Sequence, residues 1–320
     1  MNKKKIILVC GDPNSINSEI IFKSWKKLNN SVKKKIYVIS NKELLEKQFK
    51  KLNCIIKIKD VKNIEEKVES NELKIINVDL KFKDPFNVNK RNASTYVKKC
   101  LGIGHKLALK KNILGLINCA IDKRLLRKNL GVTEFLANKC KITNNSEVMM
   151  IRNNKLSVCP ITTHINLKNV PAYINSKKII IKINTVQKWF LKLFKKKPKI
   201  GVLGLNPHNA ELDVNSEEVK EITPAIKKLK KKGFKIKGPL VPDTTFVKNY
   251  KNFDVIIGMY HDQVLTPFKS LFKFDGVNLT LGLKYLRLSP DHGVAKDIIK
   301  KNKANPSSLI DCIKFLNNFG

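Results

Sequence analysis

Three of the five histidines in this 320-residue chain stand where an imidazole could hold a metal: His164, His208 and His261. His208 follows the apolar run IGVLGL at 200–205 and the dipeptide NP. His261 follows FDVIIGMY at 253–260 and precedes Asp262 and Gln263; His164 lies in CPITTHINL at 159–167. A short apolar run reads as a buried strand. Open α/β sheets bind ligands just past the carboxyl ends of their strands. Two of the three histidines fall at such ends, and the third could. Three imidazoles meeting there would hold a divalent ion and leave positions open for a substrate. Spacing alone does not separate that role from a cap or a satisfied polar residue, because the three are far apart in sequence. Only a fold could bring them together.

The elements that must do so alternate along the chain. Apolar runs over 5–10, 35–39, 75–78, 113–120, 147–151, 200–205 and 254–259 read as strands. Amphipathic, lysine-rich stretches over 18–28, 42–51, 93–111, 134–138 and 215–232 read as helices. This alternation predicts an α/β protein with a mainly parallel sheet. Gly102 and Gly104 read as a helix break. The basic segment 184–199 reads as a helix ending at Pro198 that buries Trp189, Phe190, Leu193 and Phe194, with a membrane-surface helix as the alternative.

Composition narrows the function classes. The apolar share of 42% supplies a packed core, and the length suits one large or two ordinary domains. No run of about 18 apolar residues occurs, so no membrane span is expected. After the basic start, only IILVC at 6–10 is apolar before GDP at 11–13 interrupts it. That is too short for a secretory leader, and the expected location is the cytoplasm. Seven cysteines without a CxxC pair argue against a disulfide framework or zinc ribbon. They read as small buried hydrophobes. The net charge of +38 invites a nucleic-acid reading. Yet only five of the 64 basic residues are arginine, and the lysines are spread along the whole chain. Base readout and phosphate clamps favour arginine. No specific nucleic-acid partner is expected, only weak polyanion binding at low salt.

The second half is dense in polar loop strings. These are NPH at 206–208, GPLVPDTTF at 238–246 with Asp243, YHDQ at 260–263, PFK at 267–269, GVNLTLG at 276–282 and LRLSPDHG at 286–293. GDP at 11–13, TE at 133–134, THINL at 163–167 and ANP at 304–306 complete the set. In this order the strings closely resemble the 4-hydroxythreonine-4-phosphate dehydrogenase family of vitamin B6 (pyridoxal phosphate) biosynthesis. The resemblance runs over nearly the whole chain.

That resemblance implies a two-domain α/β/α architecture similar to isocitrate and isopropylmalate dehydrogenases. The active site would lie in the interdomain cleft of a homodimer and draw ligands from both subunits. Residues 1–130 with 290–320 would form a discontinuous first α/β domain; 131–289 would form a second, carrying metal ligands and dimer contacts. The family oxidises the C3 hydroxyl of 4-phosphooxy-L-threonine with NAD, and the β-keto acid loses carbon dioxide to give 3-amino-2-oxopropyl phosphate. His164, His208 and His261 match its metal ligands, for zinc, cobalt, nickel, magnesium or manganese. Thr133, Lys269, Asn278 and Arg287 match substrate contacts. Asp243 and Asp262 are expected to orient the histidines or the metal-bound water. No GxGxxG follows the first strand, so NAD (or NADP) is not expected on a Rossmann loop. DHGVAKDI at 291–298 instead resembles the nucleotide loop of isopropylmalate dehydrogenases. There, residues matching His292 and Gly293 line the adenosine, and the one matching Asp297 holds a ribose hydroxyl.

The chain also departs from the pattern. The family has GHTE where this sequence has GVTE at 131–134. Val132 cannot replace the hydrogen bond of the lost histidine, and an unpaired substrate oxygen costs about 1–3 kcal/mol. GDPAGIGPE becomes GDPNSINSE at 11–19, and Asn14 and Asn17 read as residues able to adopt the positive φ of the lost glycines. NAE at 209–211 replaces AGE, and AIDK at 120–123 replaces PIxK. Three readings follow, the first favoured: the family's own activity, a dehydrogenase of threonate or erythronate 4-phosphate, or a noncatalytic basic binding protein on this scaffold.

Overall fold

A computed structural model of the chain describes residues 4–66, 68, 71–126, 131–273 and 275–319. Two compact α/β units are present: Met1–Lys141 with Leu283–Gly320, and Ile142–Gly282. Among the described residues no helix is long and apolar enough to cross a membrane.

The first unit contains strands β1 (Lys5–Val9), β2 (Ile36–Ser40), β3 (Ile58–Asp60), β4 (Leu73–Asn77), β5 (Ile113–Asn118) and, from the end of the chain, β12 (Arg287–Ser289). Their order is β3-β4-β2-β1-β5-β12, and every pairing is parallel. β1 and β2 are apolar almost throughout because helices cover both faces of a parallel sheet. The helix Lys90–Ala108 runs unbroken through Gly102 and Gly104, so the expected break is absent. Gly104 serves close packing: a Cβ there would sit 2.9 Å from Val9 Cγ2 and 3.0 Å from Leu116 Cδ1.

The second unit contains β6 (Val148–Arg152), β7 (Ser157–Pro160), β8 (Ile200–Leu203), β9 (Ile236–Leu240), β10 (Val255–Gly258) and β11 (Val277–Leu281). Their order is β11-β6-β7-β10-β8-β9. β7, β10, β8 and β9 are parallel, whereas β6 runs antiparallel to both β7 and β11. Val158, Leu203, Ile256, Val264 and Phe268 pack in one core beneath the central strands. The helix Ser176–Phe194 buries Trp189 and Phe190, leaves Leu193 and Phe194 half-buried rather than buried as expected, and ends in a left-handed Lys195, ahead of Pro198. The helix expected over 215–232 opens as a π-helical segment, Glu218–Ile222, and continues as Thr223–Lys231. All seven cysteines are free, and six are buried. Burial pushes the Cys10 thiol up to about 12, which makes it inert at neutral pH.

Candidate active site

β7, β10 and β8 are neighbours, and each releases one histidine past its carboxyl end. Cys159 pairs with Ile257 and Pro160 with Gly258. The ladder runs on through Ile161 N to Gly258 O (2.8 Å) and Thr162 N to Met259 O (3.1 Å). Thr162 Oγ1 also donates to Met259 O at 2.7 Å. Two segments held in step this far must leave the sheet side by side. The rings of His164 and His261 are accordingly 5.5 Å apart, centroid to centroid. Two imidazoles on one ion, with metal–nitrogen bonds of about 2.1 Å, would have centroids roughly 5 Å apart, so this pair fits a shared cation.

His261 opens the helix His261–Phe272. Its Nδ1 lies 2.6 Å from Asp262 Oδ1, a contact that fixes the ring's orientation and leaves Nε2 for a ligand. Asp243, expected in a similar role, accepts from Thr244 N at 2.7 Å within its own turn.

His208 leaves β8 through a segment that sequence reasoning missed. The carboxylate of Glu218 is fully buried and accepts from Leu205 N (2.6 Å), Asn206 N (2.8 Å) and Asn206 Nδ2 (2.9 Å). Gln263 ties this segment to the His261 loop: it accepts from Met259 N at 2.7 Å and donates to Gly204 O at 2.8 Å. Beyond Asn206 the backbone turns left-handed for five residues, His208 to Leu212, with φ of 49°, 58°, 49°, 48° and 63°. None is glycine, and each L-residue there costs roughly 1–2 kcal/mol. The turn borders an open groove of about 660 Å³ lined by His208, Asn209, Glu211, Leu212 and Pro239. Among the described residues, no set of three or more His, Cys, Asp or Glu side chains is gathered to hold a metal ion. The structure thus pairs His164 with His261 and leaves His208 outside the pair, at the end of the adjacent strand. The strain has a measurable consequence. Ala210→Gly should stabilise the protein by about 1 kcal/mol and raise Tm by about 2–4 °C in thermal unfolding.

Two expected substrate contacts in the first unit come together. Thr133 lies in the helix Val132–Lys139, whose first residue is the half-buried Val132. Arg287 opens β12, and its NH1 is 3.5 Å from Thr133 Oγ1. Arg287 Nε donates to Asn118 Oδ1, the last residue of β5, at 2.7 Å. Burial holds the guanidinium down to about 10, still charged at neutral pH. In the second unit, Asn278 lies on β11 and its Oδ1 is buried without a partner among the described residues, an acceptor available to a ligand. Lys269 is half-buried in the helix that begins at His261.

The segment expected to meet the cofactor is also in the first unit. Burial lowers the affinity of His292 for a proton. Its Nδ1 lies 2.9 Å from Gly293 O, while Nε2 is buried without a partner among the described residues. A neutral ring that donates through Nδ1 presents Nε2 as an acceptor. Gly293 is exposed, with open space where a Cβ would stand, and Asp297 is exposed in the turn Lys296–Ile298. Val294 O accepts from Ile16 N at 3.3 Å, which ties this segment to the loop after β1. That loop corrects one expectation: Asn14 and Asn17 do not adopt positive φ. Asn14 bonds both Val88 N and Val88 O, and Asn17 Nδ2 donates to Ala120 O. Gly11, at φ 86°, makes the left-handed turn, where a Cβ would lie 2.6 Å from Ala120 O. By contrast, His105 is a buried structural residue whose Nδ1 meets Tyr285 OH at 3.0 Å.

The family model of pyridoxal phosphate biosynthetic protein PdxA matches residues 32–316. The chain belongs to the PdxA family. It is 46% identical over 214 residues to 4-hydroxythreonine-4-phosphate dehydrogenase of Aquifex aeolicus (strain VF5), covering 65% of this chain and 66% of that protein. It is 33% identical over 218 residues to D-threonate 4-phosphate dehydrogenase of Pectobacterium atrosepticum, covering 66% of each. The chain thus spans just under two thirds, 66%, of the length of each of these curated PdxA-like relatives. The crystal structure of 4-hydroxythreonine-4-phosphate dehydrogenase from Klebsiella pneumoniae superposes with a TM-score of 0.86 at 27% identity, covering 99% of both chains.

Proposed function

We propose that this PdxA-family protein is a NAD- and metal-dependent 4-hydroxythreonine-4-phosphate dehydrogenase. It would oxidise C3 of 4-phosphooxy-L-threonine and release carbon dioxide, giving 3-amino-2-oxopropyl phosphate. The observation that carries this reading is the pairing of His164 with His261 at the carboxyl edge of β7 and β10. His164, His261 and His208 would hold the divalent ion (zinc, cobalt, magnesium or manganese). When bound, that ion would lower the pKa of the C3 hydroxyl and stabilise the enolate left as carbon dioxide departs.

The chain's own residues do the rest. Asp262 keeps His261 in the tautomer that offers Nε2. Arg287 and Lys269 take the phosphate and carboxylate, where charged donors form the strongest hydrogen bonds. The Thr133 hydroxyl donates to a substrate oxygen, and Asn278 Oδ1 accepts from a substrate N–H or O–H. NAD (or NADP) would receive the hydride from C3. His292 and Gly293 would line its adenosine, with Nε2 of His292 as acceptor, and Asp297 would take a ribose hydroxyl. The family likeness extends the reading to a homodimer in the cytoplasm with a site shared between subunits.

Val132 favours a second reading, in which the substrate is a threonate or erythronate 4-phosphate. NAD reduction by the purified protein on all three phosphorylated acids, with and without added divalent ion, separates the two. The highest kcat/KM is expected on 4-phosphooxy-L-threonine, and no turnover on any of the three contradicts both readings. Val132→His restores a donor, so it should raise kcat/KM on 4-phosphooxy-L-threonine about tenfold. A fall instead would mean that the position serves a different substrate.

A further inference from the structure

Asn118 matches none of the family's site strings, yet it holds the arginine expected to grip the substrate. β5 ends at Asn118 and β12 begins at Arg287, and the two strands pair in parallel with Leu116 opposite Arg287. The contact is built by the sheet, since 169 residues separate its partners. Asn118 is 2% exposed and Arg287 4%. The amide is held at both ends: Nδ2 donates to Cys119 O at 3.1 Å, and Oδ1 accepts from Arg287 Nε at 2.7 Å. Anchoring the nitrogen to the main chain points the oxygen at the guanidinium. A guanidinium carries five N–H groups in one rigid plane, so fixing Nε fixes the direction of the others. One of them, on NH1, stands 3.5 Å from Thr133 Oγ1.

We propose that Asn118 is a positioning residue, which sets the plane of Arg287 so that its guanidinium meets an anionic group of the substrate, phosphate or carboxylate. This rests on the role proposed above for Arg287. Asn118 itself touches no substrate and acts through the arginine.

The test is a double-mutant cycle on binding, read by calorimetry with 4-phosphooxy-L-threonine. Asn118→Ala should weaken binding about tenfold, the effect of losing a hydrogen bond to a charged group. A lysine ammonium is a point charge with no guanidinium plane for the amide to orient. In an Arg287→Lys background the same change should therefore alter Kd less than about twofold. Equal weakening in both backgrounds would show an effect that bypasses Arg287 and would overturn the inference, as would unchanged affinity in Asn118→Ala. Inorganic phosphate is the second probe. Weaker phosphate binding in Asn118→Ala assigns the grip to the phosphate, and an effect confined to the whole substrate assigns it to the carboxylate; either agrees with the proposal.

A measurement on the wild type keeps the test decisive if Asn118→Ala fails to fold. The chain has five arginines, so the Arg287 Nε–H resonance is identified by its loss in Arg287→Lys. It should exchange with solvent at least tenfold more slowly than that of the exposed Arg91. Exchange as fast as Arg91 overturns the clamp. Failure of the wild type to bind either probe would remove the enzymatic reading and the inference with it, whereas the other negative results remove the inference alone.

Discussion

Replacing Glu218 by alanine is expected to destabilise the protein by about 3 kcal/mol, the cost of stripping a buried carboxylate from several donors at once. Glu218 is fully buried, and it closes the main chain at Leu205 and Asn206 just after β8. Asn206 Nδ2 adds a further bond, which it shares with Glu217. Without the carboxylate two part-buried N–H groups lose their acceptor, and the segment leading to His208 loses its anchor. Thermal unfolding should show a Tm lower by about 6–12 °C; an unchanged Tm would contradict the role. The same carboxyl gives a pH signature. Burial pushes its pKa up, but the main-chain and side-chain bonds from Asn206 and Leu205 outweigh burial and hold it below the ordinary glutamate value. A lowered native pKa contributes stability that is complete above the unfolded value, about 4.3, and is lost as pH falls through the native one. Below about pH 4.3 the wild type should therefore lose stability faster than Glu218→Ala, and the gap between them should close.

His261→Ala is expected to lower kcat/KM by about three orders of magnitude, the loss of several kcal/mol of charge stabilisation on the reacting oxygens. It should also abolish the response to added divalent ion. Asp262→Ala should be milder, weakening divalent-ion affinity about 10–100-fold, because it frees the His261 ring without removing the ligand. Steady-state rates against metal concentration distinguish the two: His261→Ala acts on the maximal rate, and Asp262→Ala is overcome by excess metal. His261→Ala with wild-type activity would remove the metal role of this edge.

Much of this edge was legible in the sequence. The runs before His208 and His261 are continuous and apolar because β8 and β10 are covered on both faces, and that pattern reads directly as strand. β7 was harder: four residues, Ser157–Pro160, carry too little pattern, and their strand character comes from pairing with β6 and β10. β12 is shorter still, and its pairing with β5 brings Asn118 to Arg287 across the length of the chain. No local propensity encodes such a contact. Motif strings pointed to Arg287, but nothing beside Asn118 marked its amide as the partner. The same holds for Glu218 and Gln263, whose neighbours become visible only when the strand ends meet. The left-handed turn at 208–212 was invisible for the opposite reason. Glycine is the usual sign of positive φ, and here histidine, asparagine, alanine, glutamate and leucine adopt it. Asn14 and Asn17, read as glycine substitutes, make side-chain bonds to Val88 and Ala120 with ordinary φ.

The carboxyl edge of β7, β10 and β8 is the proposed divalent-metal site. Anomalous diffraction from crystals grown with zinc or cobalt tests it most directly. One peak is expected about 2.1 Å from a nitrogen of each of His164, His261 and His208, with the 208–212 segment moved to complete the set. A metal-saturated crystal with no peak at the His164–His261 pair, or with its ion bound elsewhere, would contradict it.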